Sequence, residues 1–559
     1  SGVALPNSGG EIVSFYAPLN LIASTYSSGA NHGVRLTQLN GDGSLGSPSA
    51  ATVDLSGTFS GSSLGVFSVS SVQVDNQGRD FGVATLIPGN NTDLARVNNV
   101  GKAVFFQVST GAVLGSVDVG YHPDSVTITP NGSRLVVANE AEYVSSTATQ
   151  RAGTVSIIDL STVTGASDLQ TKLGNSAIGV TSVGFSGLDL SGIRINATNP
   201  GSIAAADRHL YLEPEYITAS NTKAYVSLQE NNAIATVDIA SGTVESVRSL
   251  GALTQTIDNS DRDGVNGVVG TTNPRPSIGV NDTATGLLMP DTIARFEKGG
   301  QTYLVTANEG DGRNTDVEGG NGDEARSGRL TVVAAGFEGA GNMFGTRSIS
   351  IVRASDGAVV WDSSNGQGTA AAFQSFEDFI AANAPTTFGM DQNSAFTFRP
   401  ASAGVINNFT DGLYTNAAGT EANSDTRSDN KGPEPESVAY ASINGRDYVF
   451  TAMERQGGIF LFDVTDLNNV SLVDYINLLV QGASTGQIYL SPESLQFLSA
   501  ADNITGKNLL LVGYENPSNP AGGLAVIDLS AIPEPSAAAG LAGLGALGLA
   551  ALRRRRRAS

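Results

Sequence analysis

Glu434-Pro-Glu-Ser-Val438, Asp447-Tyr-Val-Phe-Thr-Ala-Met-Glu454 and Gly458-Ile-Phe-Leu-Phe-Asp-Val464 form the stretch on which the fold turns. A Pro and an acid open a short apolar strand. A turn leads to a second strand that ends in Glu, and a third follows. The pattern returns as His122-Pro-Asp-Ser-Val-Thr-Ile128, Arg134-Leu-Val-Val-Ala-Asn-Glu140 and Gly153-Thr-Val-Ser-Ile-Ile-Asp-Leu160. It returns again from Glu213 through Glu230 to Ile239, from Met289 through Glu309 to Val352, and from Ser491 through Glu515 to Leu529. Short β-branched runs with Gly, Asn and Asp turns read as strands, and a fixed recurring unit is the mark of a repeat architecture.

Two looser copies, near Ser14–Gly46 and Val66–Gly120, bring the count to about seven, within the 4–8 blades that close a propeller. Blades of ~40–45 residues account for little more than half of the body. The remainder is expected as insertions, mainly Thr162–Tyr211, Asp311–Gly345 and Ser363–Gly432. Pairing of the N-terminal strand with the last blade would close the ring and remove its edges. The expected fold is all-β, a propeller of about seven blades with loop insertions; two β-sandwich domains are the alternative.

The chain of 559 residues has no Cys, so disulfides and thiolate chemistry are excluded. Up to Ser530 it carries 52 acidic against 26 basic residues, a formal charge of −26. Such a field repels phosphate backbones, which argues against nucleic acid as a partner, and attracts divalent cations.

The chemistry changes after Asp528. Pro533-Glu534-Pro535 precedes an uncharged Ala, Leu and Gly run from Ser536 to Leu552, and then Arg553, Arg554, Arg555, Arg556 and Arg557. The run is slightly short of the ~20 residues that cross a bilayer core, and the arginines would hold its end on the cytoplasmic side. This predicts a body over 1–530 and an apolar anchor helix within a tail over 531–559. The alternative, a buried terminal helix, leaves five arginines beside a core.

The tail resembles the PEP-CTERM sorting signal of Gram-negative bacteria. The resemblance implies export, processing by an exosortase-type membrane protease, attachment to the membrane through the tail, and an association with biofilm exopolysaccharide. Ser1 reads as a mature N-terminus left by removal of a signal peptide.

In the body, Glu213-Pro-Glu-Tyr-Ile217, Gln229-Glu-Asn-Asn232, Leu304-Val-Thr-Ala-Asn-Glu-Gly-Asp311 and Arg427-Ser-Asp-Asn-Lys-Gly-Pro-Glu-Pro-Glu436 resemble the choice-of-anchor I domain, with YVTN-type propeller repeats. That family is similar to mesenchyme-specific cell-surface glycoproteins, and some bacterial relatives carry an alkaline phosphatase label. The resemblance implies a protein at the cell envelope, surface or matrix, in contact with polysaccharide or an envelope protein.

Each repeat places acids where its first two strands meet: Asp124 with Glu140, Glu215 with Glu230, Asp291 with Glu309, Glu436 with Glu454, and Glu493 with Glu515. Around one axis they would form an acidic mouth, which hard oxygen-seeking ions, Ca²⁺ foremost, would neutralise. The plain alternative is that each Glu caps its own turn.

A second candidate for Ca²⁺ is Asn259-Ser-Asp261-Arg-Asp263-Gly264, spaced as the first half of an EF-hand loop. Its twelfth position is Gly270 and not Glu, and a solvated turn is the alternative. The stretch from Glu309 and Asp311 through Asp316 and Glu318 to Asp323-Glu324 is a weaker version.

His32, His122 and His209 are too scattered for a transition-metal site, and no P-loop or Gly-x-Ser-x-Gly elbow is present. Haem, nucleotide and transition-metal cofactors are not expected. The sequence favours a non-catalytic, Ca²⁺-binding surface module. The alternative is a metal-dependent phosphoesterase in which Lys431 with Arg427 or Arg455 holds phosphate; pairing with neighbouring carboxylates is the expected role of these cations.

Overall fold

The structure, a computed structural model, describes residues 2–6, 10–28, 31–48, 53–59, 64–89, 98–142, 150–195, 197, 199–259, 282–312, 324–327, 330–364, 375–383, 395–396, 404–405, 431–454, 457–477, 491–515, 523–530 and 532. Seven antiparallel four-stranded blades form a single ring. Blade 1 is built from Val13–Tyr16, Leu21–Ser28, Asn31–Leu39 and Leu45–Pro48, with Val53–Asp54 added beside the third strand. Blade 2 runs Gly65–Val74, Phe81–Gly89, Val100–Gln107 and Val113–Tyr121. Blade 3 runs Pro123–Ile128, Arg134–Asn139, Thr154–Asp159 and Val180–Gly184. Blade 4 runs Ile217–Ala219, Lys223–Leu228, Ala233–Asp238 and Thr243–Ser249. Blade 5 runs Ile293–Lys298, Gln301–Asn308, Ser348–Arg353 and Val359–Asp362. Blade 6 runs Pro435–Ile443, Arg446–Met453, Gly458–Asp463 and Ser471–Asn477.

Blade 7 combines Pro492–Leu498, Leu509–Tyr514 and Gly523–Asp528 with the N-terminal strand Gly2–Pro6. That last pairing is antiparallel, from Gly2 opposite Ile527 to Pro6 opposite Gly523. It covers the open edge of blade 7 and ties the two ends of the ring together. The first strand of each blade touches the first strand of the next, and blade 7 touches blade 1, so these strands line the axis. The ring excludes the two-sandwich alternative.

Alternation along the middle strands explains why they read as unbroken apolar runs. A strand buried on both faces needs apolar residues at every position. Val136 packs toward blade 4 while Val137 packs toward blade 2; Val305 faces blade 6 while Leu304 faces blade 4. Seven apolar clusters result, one in each gap between neighbouring blades. The largest aromatic group lies between blades 5 and 6, where Phe460, Phe462, Trp361 and Tyr475 meet Phe376 and Phe379 of the helix Phe376–Asn383.

The expected insertion Thr162–Tyr211 is corrected in part. It contains the helix Ala166–Gly174, but Val180–Gly184 is the outer strand of blade 3. Outer strands face solvent on one side and carry a weak apolar signal, which hid this one. A hairpin of Ala252–Ile257 with Asp282–Leu287 joins blades 4 and 5, and a hairpin of Glu324–Ser327 with Leu330–Val333 sits within blade 5. Among the described residues no helix is long and apolar enough to cross a membrane. The tail from Pro533 to Ser559, including the expected anchor helix, lies outside the described residues.

Candidate acidic mouth of the propeller

A one-residue bulge aims the acids at the axis. In blade 3, Pro123 pairs with Asn139 and Ser125 with Ala138, which leaves Asp124 out of the ladder. The same shift isolates Glu436 between Pro435 and Ser437, and Glu493 between Pro492 and Ser494. An extra residue in one strand re-aims its side chain. Just before the bulge, His122, Met289, Glu434 and Ser491 adopt left-handed backbone with φ of 46°, 48°, 53° and 54°. The carbonyls of His122, Glu434 and Ser491 accept the amide hydrogens of Glu140, Glu454 and Glu515 at 2.8, 2.8 and 3.0 Å. One turn thus places the acid that ends the second strand beside the acid that opens the first.

Blade 4 departs from this scheme. Ser227 donates to Tyr216 O, as Ala307 donates to Thr292 O in blade 5. Glu309 lies two residues past Ala307, and the matching residue of blade 4 is Gln229, not Glu230. Gln229 thus takes the place that Glu309 holds in blade 5, while Glu230 remains the neighbouring carboxylate that acts most strongly on Glu215. The Gln229 amide donates to Glu309 at 3.0 Å, while Glu230 is buried one step farther on.

The sequence pattern missed Glu11. Gly10 and Ile12 both bond to Thr25, which leaves Glu11 at the bulge position of blade 1. The signal was present: Glu11-Ile-Val13 has the same acid, spacer and aliphatic order as Asp124-Ser-Val126 and Asp291-Thr-Ile293. Blade 2 places Ser70 at its bulge, between Val69 opposite Leu86 and Ser71 opposite Thr85. Six of the seven blades therefore present a carboxylate at one equivalent place.

The electrostatics follow from crowding. Burial raises Glu215, Asp291, Glu436 and Glu493 well above the ordinary carboxylate range. Neighbouring carboxylates add to this: Glu230 and Asp124 act on Glu215, Glu436 and Glu215 on Asp291, and Glu436, Glu454, Glu515 and Glu11 on Glu493. Asp124 is raised to about 6 by burial, with His122 opposing and Glu142 and Glu11 adding. Glu11 keeps an exposed surface, yet desolvation by the surrounding protein and then the charge of Glu515 raise it to about 7.

The oxygens come close enough to share an ion. One ligand atom each from Glu309, Glu436 and Glu454 lie within 4.8 Å of one another, and so do those from Glu454, Glu493 and Glu515. Lys431 is buried against the first group, its Nζ 2.7 Å from Glu309 and 3.4 Å from both Asp311 and Glu434. Burial alone would lower this lysine, but Asp311, Glu309 and Glu434 hold it charged, well above its ordinary range. His122 sits 2.9 Å from Glu140 and 3.3 Å from Glu142 on the blade 3 side. Its pairing with Glu140 was not foreseen, because nothing in the repeat marks a His before Pro.

Asn259 is partly buried at the edge of the described residues, beside Thr283, Thr285 and Asn342. Asp261, Asp263, Asp316, Glu318, Asp323, Arg427 and Arg455 lie outside the described residues, and for Glu324 only the backbone is described.

The family model for the choice-of-anchor I domain matches residues 44–336 and 338–467. The chain belongs to the choice-of-anchor I domain family. Membership fits a cell-surface or exported protein and a surface-associated, non-catalytic module. No curated protein matches this choice-of-anchor I chain. Among solved structures it is similar to the hydrazine synthase of Kuenenia stuttgartiensis, at 10% identity and TM-score 0.42, over 94% of this chain and 97% of that one. A mitotic checkpoint complex chain gives 7% identity and TM-score 0.41, with 94% and 93% covered. The Cps50 (Swd1) β-propeller domain of Myceliophteria thermophila gives 10% identity and TM-score 0.40, with 94% and 97% covered. Likeness at that level carries no argument about activity.

Proposed function

We propose that this propeller is a surface-retained, non-catalytic binding module whose acidic mouth takes Ca²⁺. The observation that carries the reading is the ring of equivalent carboxylates, six blades contributing, with Lys431 as the cation buried among them. Carboxylates packed this closely need protons or cations to neutralise them. At neutral pH a hard divalent ion with oxygen ligands meets that need. The loaded mouth would present Ca²⁺ with open coordination positions to anionic matrix polymer or to acidic groups of an envelope protein. The PEP-CTERM-like tail would supply retention, with an exosortase-type protease processing it and the membrane holding it until then. Phosphoester hydrolysis has less support, because Lys431 is already engaged by Glu309, Asp311 and Glu434.

A ligand that binds only the native state stabilises it by about 2.7 kcal/mol at ~100-fold excess over its Kd. The full chain should melt several degrees higher in CaCl₂ than in a chelator. Replacing Glu309 and Glu454 together by Gln should remove most of that shift. Replacing Asp261 and Asp263 by Asn tests the Asp-rich loop in the same way. A melting curve unmoved by Ca²⁺ would contradict the reading. Retention is tested separately: a chain lacking Ser536–Ser559 should be released from its host cell, and firm attachment would contradict the tail's role.

A further inference from the structure

We infer that the mouth holds two divalent cations side by side, bridged by the carboxylate of Glu454, and that the two positions differ in affinity. This rests on the cation-binding reading above and makes it specific. The two groups of oxygens, Glu309 with Glu436 and Glu454, and Glu454 with Glu493 and Glu515, have one member in common. A carboxylate has two oxygens, each able to face a different ion. Glu454 ends the second strand of blade 6, with its backbone amide held by Glu434 O at 2.8 Å. From there it lies between Glu309 of blade 5 and Glu493 and Glu515 of blade 7.

Acidic residues alone do not make a site, and an independent feature points to a ligand here. Asp291 is only 2% exposed, its Oδ2 receives no hydrogen bond from a protein N–H or O–H donor, and its carboxyl lies within hydrogen-bonding reach of the carboxyl of Glu436, a contact that needs a shared proton or a cation. Its neighbours are Glu436, Glu215 and Glu309, two of them members of the first group. A buried acceptor without a donor is costly, and a bound water or ion is one of the ways in which native proteins satisfy it. Glu493, in the second group, likewise has an unpartnered buried oxygen, Oε1.

The donor set selects the ion class. Every ligand of both groups is a carboxylate oxygen, and neither includes nitrogen or sulfur. Hard cations that accept many oxygens, Ca²⁺ before Mg²⁺, suit such a set, because Mg²⁺ demands near-ideal octahedral geometry and dehydrates reluctantly. Thiolate- and imidazole-seeking ions do not suit it.

Charge separates the two positions. The first already has a cation, since Lys431 lies 2.7 Å from Glu309. The second has no ion pair to Glu493 or Glu515 among the described residues. The position at Glu493 and Glu515 therefore fills first, and the position beside Lys431 fills second and more weakly.

The test counts ions. The full chain and single variants are stripped with chelator, titrated with CaCl₂ by calorimetry, and analysed for bound calcium by atomic emission. Relative to the parent chain, Glu515→Gln should lose the tighter ion and Glu309→Gln the weaker one. Glu454→Gln should lose both. Each variant is checked for a cooperative melt. If Glu454→Gln does not fold, Glu454→Asp replaces it, and affinity should then fall at both positions together. Loss of one ion or none on changing Glu454 overturns the bridge but leaves a calcium-binding mouth intact. If no variant alters calcium binding, the bridge and the mouth reading both fall.

Discussion

Blades 2 and 6 share one plan and differ at the mouth. Both have four antiparallel strands and a one-residue bulge in the innermost strand. In blade 2 the bulged Ser70 is satisfied within the protein. Its Oγ meets Thr85 Oγ1 at 3.0 Å and donates to the Pro123 carbonyl of blade 3 at 2.5 Å. In blade 6 the bulged Glu436 faces Glu309 and Glu454 and depends on protons, Lys431 or an added cation for neutrality. The bulge belongs to the fold, whereas the side chain placed on it decides the chemistry. One part of the rim is self-sufficient, and the part spanning blades 5 to 7 stores repulsion that a ligand can release.

Breaking the acidic side should have the largest effect. Lys431→Met leaves Glu309, Asp311 and Glu434 without their buried partner, and loss of one member of such a pair costs about 3–5 kcal/mol. Chemical denaturation of the calcium-free variant at pH 8 measures it, and added Ca²⁺ should restore part of the loss. Glu436→Gln should act in the opposite direction. It removes an acid whose ionisation burial disfavours, so the calcium-free protein should be more stable at pH 8 than the parent chain, while the Ca²⁺ response shrinks. Ser70→Ala on the self-sufficient side should cost about 0.5–1.5 kcal/mol, the net worth of an ordinary hydrogen bond, and should leave the Ca²⁺ response unchanged. A calcium effect equal in Ser70→Ala and Glu436→Gln would erase the distinction between the two blades.

The pH dependence has a definite sign. Acids raised on folding bind more protons in the native state than in the unfolded chain, so stability falls as pH rises. For Asp124 the contribution is full below its unfolded value of 3.8 and is lost as pH passes about 6; for Glu11 the corresponding values are 4.5 and about 7. The calcium-free protein should therefore lose stability between about pH 4 and 7, and saturating Ca²⁺ should flatten the slope. Denaturation midpoints at three pH values, with and without Ca²⁺, measure both.

The parts legible in sequence were those fixed by burial on both faces. Runs such as Leu509–Val512 and Tyr448–Phe450 are apolar because successive residues enter different inter-blade clusters, and the strand pattern alone reveals them. The acids beside Pro123, Pro290, Pro435 and Pro492 were legible because proline marks where the strand starts. Glu11 has the same acid, spacer and aliphatic order but was passed over, since blade 1 opens without the proline that marks the strand start and its bulge shows only in the pairing with Thr25. The one-residue offset at Gln229 was hidden for a related reason. Asn231 and Asn232 carry on the blade 4 turn through side-chain bonds to Glu213 and Met289 amides at 2.9 Å, and spacing alone does not show such bonds.

The most direct test of the acidic mouth is a crystal structure of the chain grown with CaCl₂, with anomalous differences used to locate calcium. Peaks are expected at the axial mouth, each within ~2.3–2.6 Å of carboxylate oxygens from Glu309, Glu436 and Glu454 or from Glu454, Glu493 and Glu515. A mouth without calcium, its carboxyls hydrogen-bonded to one another through protons or water while the crystal holds the ion elsewhere or nowhere, would contradict that expectation.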